Sequence, residues 1–276
     1  MRDDVLVTAD DLAAALADDE PPALLDVRWA LGRTREEAHE RYLAGHLPGA
    51  VYVDLETELA APPSPRAGRH PLPPVDELEA AARRWGLREG APVVVYDDLA
   101  GTSAARAWWL LRWAGLAAVR LLDGGLAAWT AAGRSLEAGE VTTDPGDLVA
   151  RPGGMPTATA DEVAVWPGTL LDARAAERYA GLVEPVDPRA GHIPGAVSAP
   201  TWGNLSGDGR FLPDEALRAR FAALGVAGPV AVYCGSGVTA AHEVAALAAI
   251  GVEAALYPGS WSQWSNDPAR PAATDG

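Results

Sequence analysis

Apolar residues along this chain fall into two alternating textures. Short runs such as Val93-Val94-Val95-Tyr96 and Val230-Ala231-Val232-Tyr233 have the length and β-branched content of buried strands. Between them, longer stretches repeat apolar residues at helical spacing. In the first half the pattern predicts a helix capped by Thr8 and running through Ala17, a strand over Ala23–Val27, and helices over Glu36–Leu43 and Asp76–Trp85. A strand over Val93–Tyr96, a helix over Ser103–Trp113, a strand over Val119–Leu122 and a closing helix over Leu126–Ala132 follow. The second half predicts Asp161–Trp166, Thr169–Leu171, Asp214–Leu224, Val230–Tyr233, Ala240–Ile250 and Glu253–Leu256 in the same alternation. Short strands alternating with helices imply an α/β fold built on mostly parallel sheets flanked by helices.

The alternation is written twice. Leu24-Leu25-Asp26-Val27-Arg28 recurs as Leu170-Leu171-Asp172-Ala173-Arg174, and Gly45-His46-Leu47-Pro48-Gly49 recurs as Gly191-His192-Ile193-Pro194-Gly195, both at an offset of 146. Pro92–Tyr96 recurs as Pro229–Tyr233 at an offset of 137, so the first copy carries nine extra residues between Asp54 and Pro92. Two homologous domains are expected over 1–140 and 157–276, with a linker over 141–156 where chain breakers collect and periodicity stops. Each copy is a control on the other: what both carry is demanded by the fold, and what one carries is a candidate for chemistry. By that test His46 and His192 read as turn-stabilising residues, and Asp26 with Arg28, like Asp172 with Arg174, as a structural ion pair.

The copies part at Cys234, the only cysteine in the chain, whose counterpart is Asp97. A thiol where a strand runs into a glycine-rich loop and then a helix meets backbone N–H groups and the positive helix end, and both favour the thiolate nucleophile. Such a crest is also where open α/β sheets bind ligands. The alternative is a small buried apolar residue. A carboxylate cannot replace a sulfur nucleophile, so the first domain reads as a supporting domain. Arg178, opposite Gly32 in the first copy, is a candidate anion ligand; its alternative is an ordinary surface arginine.

Charge narrows the partners. Lys and Arg number 22 against 38 Asp and Glu, a net charge of −16, which argues against nucleic acid and anionic membranes and makes an anionic substrate depend on locally placed arginines. No apolar run approaches the roughly 18 to 20 residues of a membrane span, and a single cysteine closes no internal disulfide, so a cytoplasmic protein is expected. The closing segment from Trp261 resembles Leu126–Trp129, and Asp267 to Gly276 is expected to fray.

These residues together resemble the two-domain sulfurtransferases of the rhodanese and 3-mercaptopyruvate sulfurtransferase type. The duplication spans the chain, the first copy carries aspartate in place of the cysteine, and Cys234-Gly235-Ser236-Gly237-Val238-Thr239 matches the family's active loop. The resemblance implies tandem rhodanese-like domains in which Cys234 takes sulfur from a small-molecule donor as a persulfide. It would then pass the sulfur to a thiol, cyanide or a thioredoxin-like acceptor, without a metal or organic cofactor. The neutral Gly-Ser-Gly is similar to the mercaptopyruvate branch; thiosulfate-preferring members carry basic loop residues. It further implies that Ser236, His70 and Asp54 act together, that Arg178 and Arg189 bind the donor, and that the N–H groups of Gly235, Gly237, Val238 and Thr239 hold the persulfide. Thiosulfate:cyanide transfer on the same cysteine and a persulfide carrier without turnover are the other readings. A cysteine phosphatase would need an arginine where Ala240 stands.

Overall fold

The structure, a computed structural model, describes residues 1–275. The described residues divide into two compact units: Met1–Ala60, Pro73–Met155 and Ser206–Phe211 form the first, and Ala61–Leu72, Pro156–Leu205 and 212–275 the second. The stretch 61–72, cut from the region where the first copy is longer, thus belongs with the cysteine-bearing copy.

In the first unit β1 (Leu6–Val7), α1 (Ala9–Ala15), β2 (Ala23–Asp26), α2 (Arg35–Ala44), β3 (Val51–Tyr52), α3 (Leu55–Glu58) and α4 (Val75–Arg84) precede β4 (Val93–Tyr96), α5 (Ala104–Trp113), β5 (Val119–Leu122) and α6 (Gly125–Ala131). The strands form one parallel sheet in the order β1-β5-β4-β2-β3. The second unit has α7 (Ala160–Val163), β6 (Thr169–Asp172), α8 (Ala176–Tyr179), β7 (Val197–Ser198), α9 (Asp214–Ala223), β8 (Val230–Tyr233), α10 (Thr239–Ala249), β9 (Ala254–Leu256) and α11 (Ser260–Trp264). Its parallel sheet runs β7-β6-β8-β9, and a single parallel bridge from Thr157 to Leu256 stands where β1 stands in the first.

Local chemistry explains the boundaries. The Thr8 side chain accepts from the Asp11 N–H, and Thr34 and Thr159 form reciprocal boxes with Glu37 and Glu162, each such cap contributing about 1 kcal/mol. Pro74 and Pro213 precede α4 and α9, and Leu78, Ala81 and Ala82 put one face of α4 into the core. Both central strands, β4 and β8, are buried at every position, which is why their sequences do not alternate.

Features present in both copies prove to be scaffold. Asp26 and Arg28 pair at 2.6 Å in the interior, and Arg28 Nη2 also donates to the Gly45 carbonyl at 2.7 Å; Arg174 Nη2 does the same to Asp172 and Gly191, both at 2.6 Å. Burial raises the Asp26 carboxyl to about 6, with Arg28 pulling it back. The Tyr96 and Tyr233 hydroxyls accept the N–H groups of Leu47 and Ile193 at 2.9 and 3.1 Å, tying the Gly-His turn to the central strand. His46 stacks on Tyr42 and His192 on Tyr179.

The expected fraying of the tail is corrected. His192 and Ala273 exchange backbone hydrogen bonds at 2.8 and 2.9 Å, and Trp264 Nε1 donates to the Pro271 carbonyl at 2.8 Å, so 267–275 is fixed to the second unit. Gly276 lies outside the described residues. Among these residues no helix is long and apolar enough to cross a membrane.

Candidate functional site

Cys234 is the first residue beyond β8 and is 1% exposed. Its loop turns back sharply: Gly237 has φ of +78°, and a Cβ there would lie 2.6 Å from the Pro258 carbonyl oxygen, so glycine is required. The turn aims the Gly237 N–H at Cys234 Sγ, 3.1 Å away. Val238 precedes α10 as its cap, and Thr239 opens the helix, so the sulfur sits at the start of a helix whose every residue from Ala240 to Leu247 is buried. The 257–262 corner braces the loop from behind: the Cys234 N–H donates to Ser260 Oγ at 3.2 Å, and the Cys234 and Gly235 carbonyls accept from Trp261 and Ser262 at 3.0 and 2.9 Å.

Ser236, two residues after the cysteine, is 5% exposed, and its hydroxyl lies 2.7 Å from His70 Nδ1. His70 is carried by the 61–72 stretch, which is itself anchored within the second unit. The Arg69 N–H donates to Ser262 Oγ at 3.0 Å, and Gly68, at φ +90°, fits where a Cβ would strike the Gly259 carbonyl at 2.7 Å. The pairing implied between Ser236 and His70 is therefore present as a contact. Asp54 lies in the first unit, where it caps α3 through the Glu56 and Thr57 N–H groups and pairs with Arg35 at 2.5 Å.

Two arginines stand over the loop. A side-chain carbon at Gly235 would lie 2.9 Å from Arg69 Nη2 and 3.4 Å from Arg178 Nη1, so both guanidinium groups face the residue next to the cysteine. Arg178 comes from α8, and its Nε and Nη2 edge is taken by Glu184, at 3.2 and 2.6 Å, with Asp187 accepting from Nη2 at 3.1 Å. Asp187 also accepts from Arg69 Nη1. Burial pushes the Glu184 carboxyl up, but Arg178 and the N–H groups of Val186 and Asp187 hold it below its usual range; at Asp187 burial prevails over Arg69 and raises it. Arg69, Glu184 and Asp187 were not singled out from the sequence. The available signal was the position of Arg69 beside His70 in the longer copy, and the acidic pair between Arg178 and Arg189.

Arg189 is elsewhere. Its guanidinium donates to the carbonyls of Ser265, Arg270, Trp264 and Asp267 at 2.7 to 2.9 Å, and this clasp is what holds the chain end. Four of its five N–H groups are so committed, which corrects its expected place on the donor. Among the described residues no group of three or more His, Cys, Asp and Glu is arranged to hold a metal ion.

A family model described as the rhodanese-like domain matches residues 8–132 and again 158–267. Over 279 residues the chain is 51% identical to a Mycobacterium tuberculosis protein named putative thiosulfate sulfurtransferase SseB, covering 98% of this chain and 97% of that one. It is 50% identical over 280 residues to a probable 3-mercaptopyruvate sulfurtransferase of Pseudomonas aeruginosa, covering 98% of each. The solved structure of SseA from Escherichia coli, described as a 3-mercaptopyruvate sulfotransferase with the rhodanese fold, matches with a TM-score of 0.82 at 36% identity, covering 93% of this chain and 98% of that one. The names of the first two relatives carry different sulfur donors.

Proposed function

The chain belongs to the rhodanese family and is a sulfurtransferase; from that premise we propose that its donor is 3-mercaptopyruvate, with a thiol, cyanide or a thioredoxin-like protein as acceptor. The observation that carries this reading is the 2.7 Å contact between Ser236 Oγ and His70 Nδ1 beside Cys234. Thiosulfate gives up its outer sulfur with sulfite as a stable leaving group that needs no proton. With mercaptopyruvate the leaving group is the enolate of pyruvate, which does need one. A hydroxyl held by an imidazole is the equipment for the second reaction.

The Cys234 thiolate attacks the donor's sulfur, the S–S bond forms as the C–S bond breaks, and the bonding pair departs on carbon as pyruvate enolate. Ser236 delivers a proton to that carbon and recovers one through His70, its source being the thiol hydrogen of the donor. The outer sulfur of the persulfide then lies among the N–H groups of Gly235, Gly237, Val238 and Thr239. Attack by the acceptor on that sulfur restores the thiolate. Arg178 faces the donor carboxylate with Nη1 only, because Glu184 holds its forked edge.

Steady-state kinetics with the two donors test the reading. Higher kcat/KM for mercaptopyruvate is expected, with pyruvate released continuously in excess thiol. A clear preference for thiosulfate overturns the donor, and release that stops after one equivalent makes the protein a carrier.

A further inference from the structure

Asp187 sits between two guanidinium groups. One oxygen accepts from Arg69 and the other from Arg178 at 3.1 Å, and the side chain is only 2% exposed. With Glu184, 4% exposed, on Arg178 and also 3.4 Å from Arg174, which is itself paired with buried Asp172, the cluster holds three cations against three buried carboxylates. Its formal charge cancels. The nitrogens that face Gly235, Arg69 Nη2 and Arg178 Nη1, have no hydrogen-bond partner among the described residues, although every other polar nitrogen of the Arg178 guanidinium is engaged. They flank one point above the loop, so a single carboxylate can take one N–H from each.

We propose that Arg69 is the second donor-binding arginine of this site, and that Asp187 sets its charge so that it accepts a carboxylate monoanion in preference to a dianion. This rests on the proposed reading of Cys234 as the sulfur acceptor. The physical reason is electrostatic. Two unopposed arginines beside a cysteine favour the more highly charged donor, since attraction grows with the product of charges; a buried carboxylate bound to both removes that advantage while keeping both guanidinium groups in place. The geometry also accounts for glycine at 235, because any side chain there enters the space the two nitrogens share.

The test is the ratio of kcat/KM for thiosulfate to that for 3-mercaptopyruvate, measured on the full chain with cyanide as common acceptor at low and high salt. Asp187→Asn should raise the ratio about tenfold at low salt, with most of the gain lost at high salt, and Asp187→Glu should restore it. Arg69→Gln should move the ratio the other way, by about tenfold, through a rise in KM for both donors that is larger for thiosulfate. A ratio unmoved by Asp187→Asn and Arg69→Gln overturns the proposal, as does an Asp187→Asn effect that salt does not weaken, which is the signature of misplaced packing. If Asp187→Asn does not fold, Arg69→Gln decides alone, its side chain being 27% exposed. A parent protein that prefers thiosulfate outright removes the mercaptopyruvate reading but leaves this one standing or falling on the direction in which the ratio moves.

Discussion

The loop after the central strand is built twice, and the two versions differ in what fills them. In the first unit Asp97 Oδ1 accepts the N–H groups of Leu99 and Gly101, both at 2.8 Å, and Oδ2 accepts those of Ser103 and Ala104 at 2.8 and 2.9 Å. In the second unit Cys234 occupies the equivalent place and its sulfur accepts from Gly237 at 3.1 Å. Ala100 and Gly237, which correspond at the same offset of 137, both have positive φ, +55° and +78°. An alanine in that region is strained by about 1 kcal/mol, and the four hydrogen bonds to Asp97 offset that strain. The first loop is thus a nest closed around its own anion. The second presents the same turn to a shorter, softer side chain, with room for the negative charge that the proposed chemistry adds to it.

Replacing the sulfur should produce the largest effect on this contrast. Cys234→Ser keeps size and the N–H contact but removes the proposed nucleophile, so turnover with either donor should fall at least a thousandfold while the unfolding temperature stays within a few degrees. Intact mass after exposure to donor should show no gain of one sulfur atom. Activity that survives the substitution puts the nucleophile at another residue.

Asp97→Ala comes next. Nothing in the first loop can replace the carboxylate at a position that is fully buried, and four N–H groups are left with poor partners. A loss of about 3 kcal/mol in urea unfolding is expected, with kcat/KM at low temperature within twofold of the parent. Asp97→Asn should lose less but still measurably, since its amide N–H faces other donors. Unchanged stability in both variants would mean that the closed nest is held by its flanking strand and helix alone.

What the sequence disclosed of this contrast, and what it withheld, follow from the range of the interactions. The repeat exposed Asp97 against Cys234 because both stand at fixed distance from a strand whose full burial shows as an unbroken apolar run. β4, β5 and β8 match their expected spans, and α4, α9 and α10 lie within a residue or so of theirs. The two-residue strands β1, β3 and β7 had no periodicity to show. Arg69 and Arg189 look alike in sequence, each an arginine near a proline in an irregular segment. Only the tertiary path of 61–72 and of the chain end sends one to Gly235 and the other to four carbonyls.

The smallest effect expected lies one turn into the helices that follow the two loops. At the same repeat position α5 carries Arg106, whose Nε donates to the Leu59 carbonyl at 3.2 Å, and α10 carries Glu243, which accepts from Asn204 Nδ2 at 2.6 Å. Both are fully buried, so the copies have placed opposite charges at one interior site. Burial raises Glu243 to about 7, with Arg220 and Asn204 pulling it down. An acid whose folded pKa is raised contributes stability that is fully present below its ordinary pKa, is lost as pH rises towards 7, and changes no further above that. The parent should therefore lose on the order of 2 kcal/mol between pH 5 and pH 8 relative to Glu243→Gln, which keeps the bond to Asn204 but cannot ionise. The difference is the quantity to measure, since Asp26, whose carboxyl is raised to about 6, is common to both proteins and cancels. Parallel urea-unfolding profiles across that range would show that Glu243 keeps its charge inside the helix, and the two copies would then balance their buried charges in the same way.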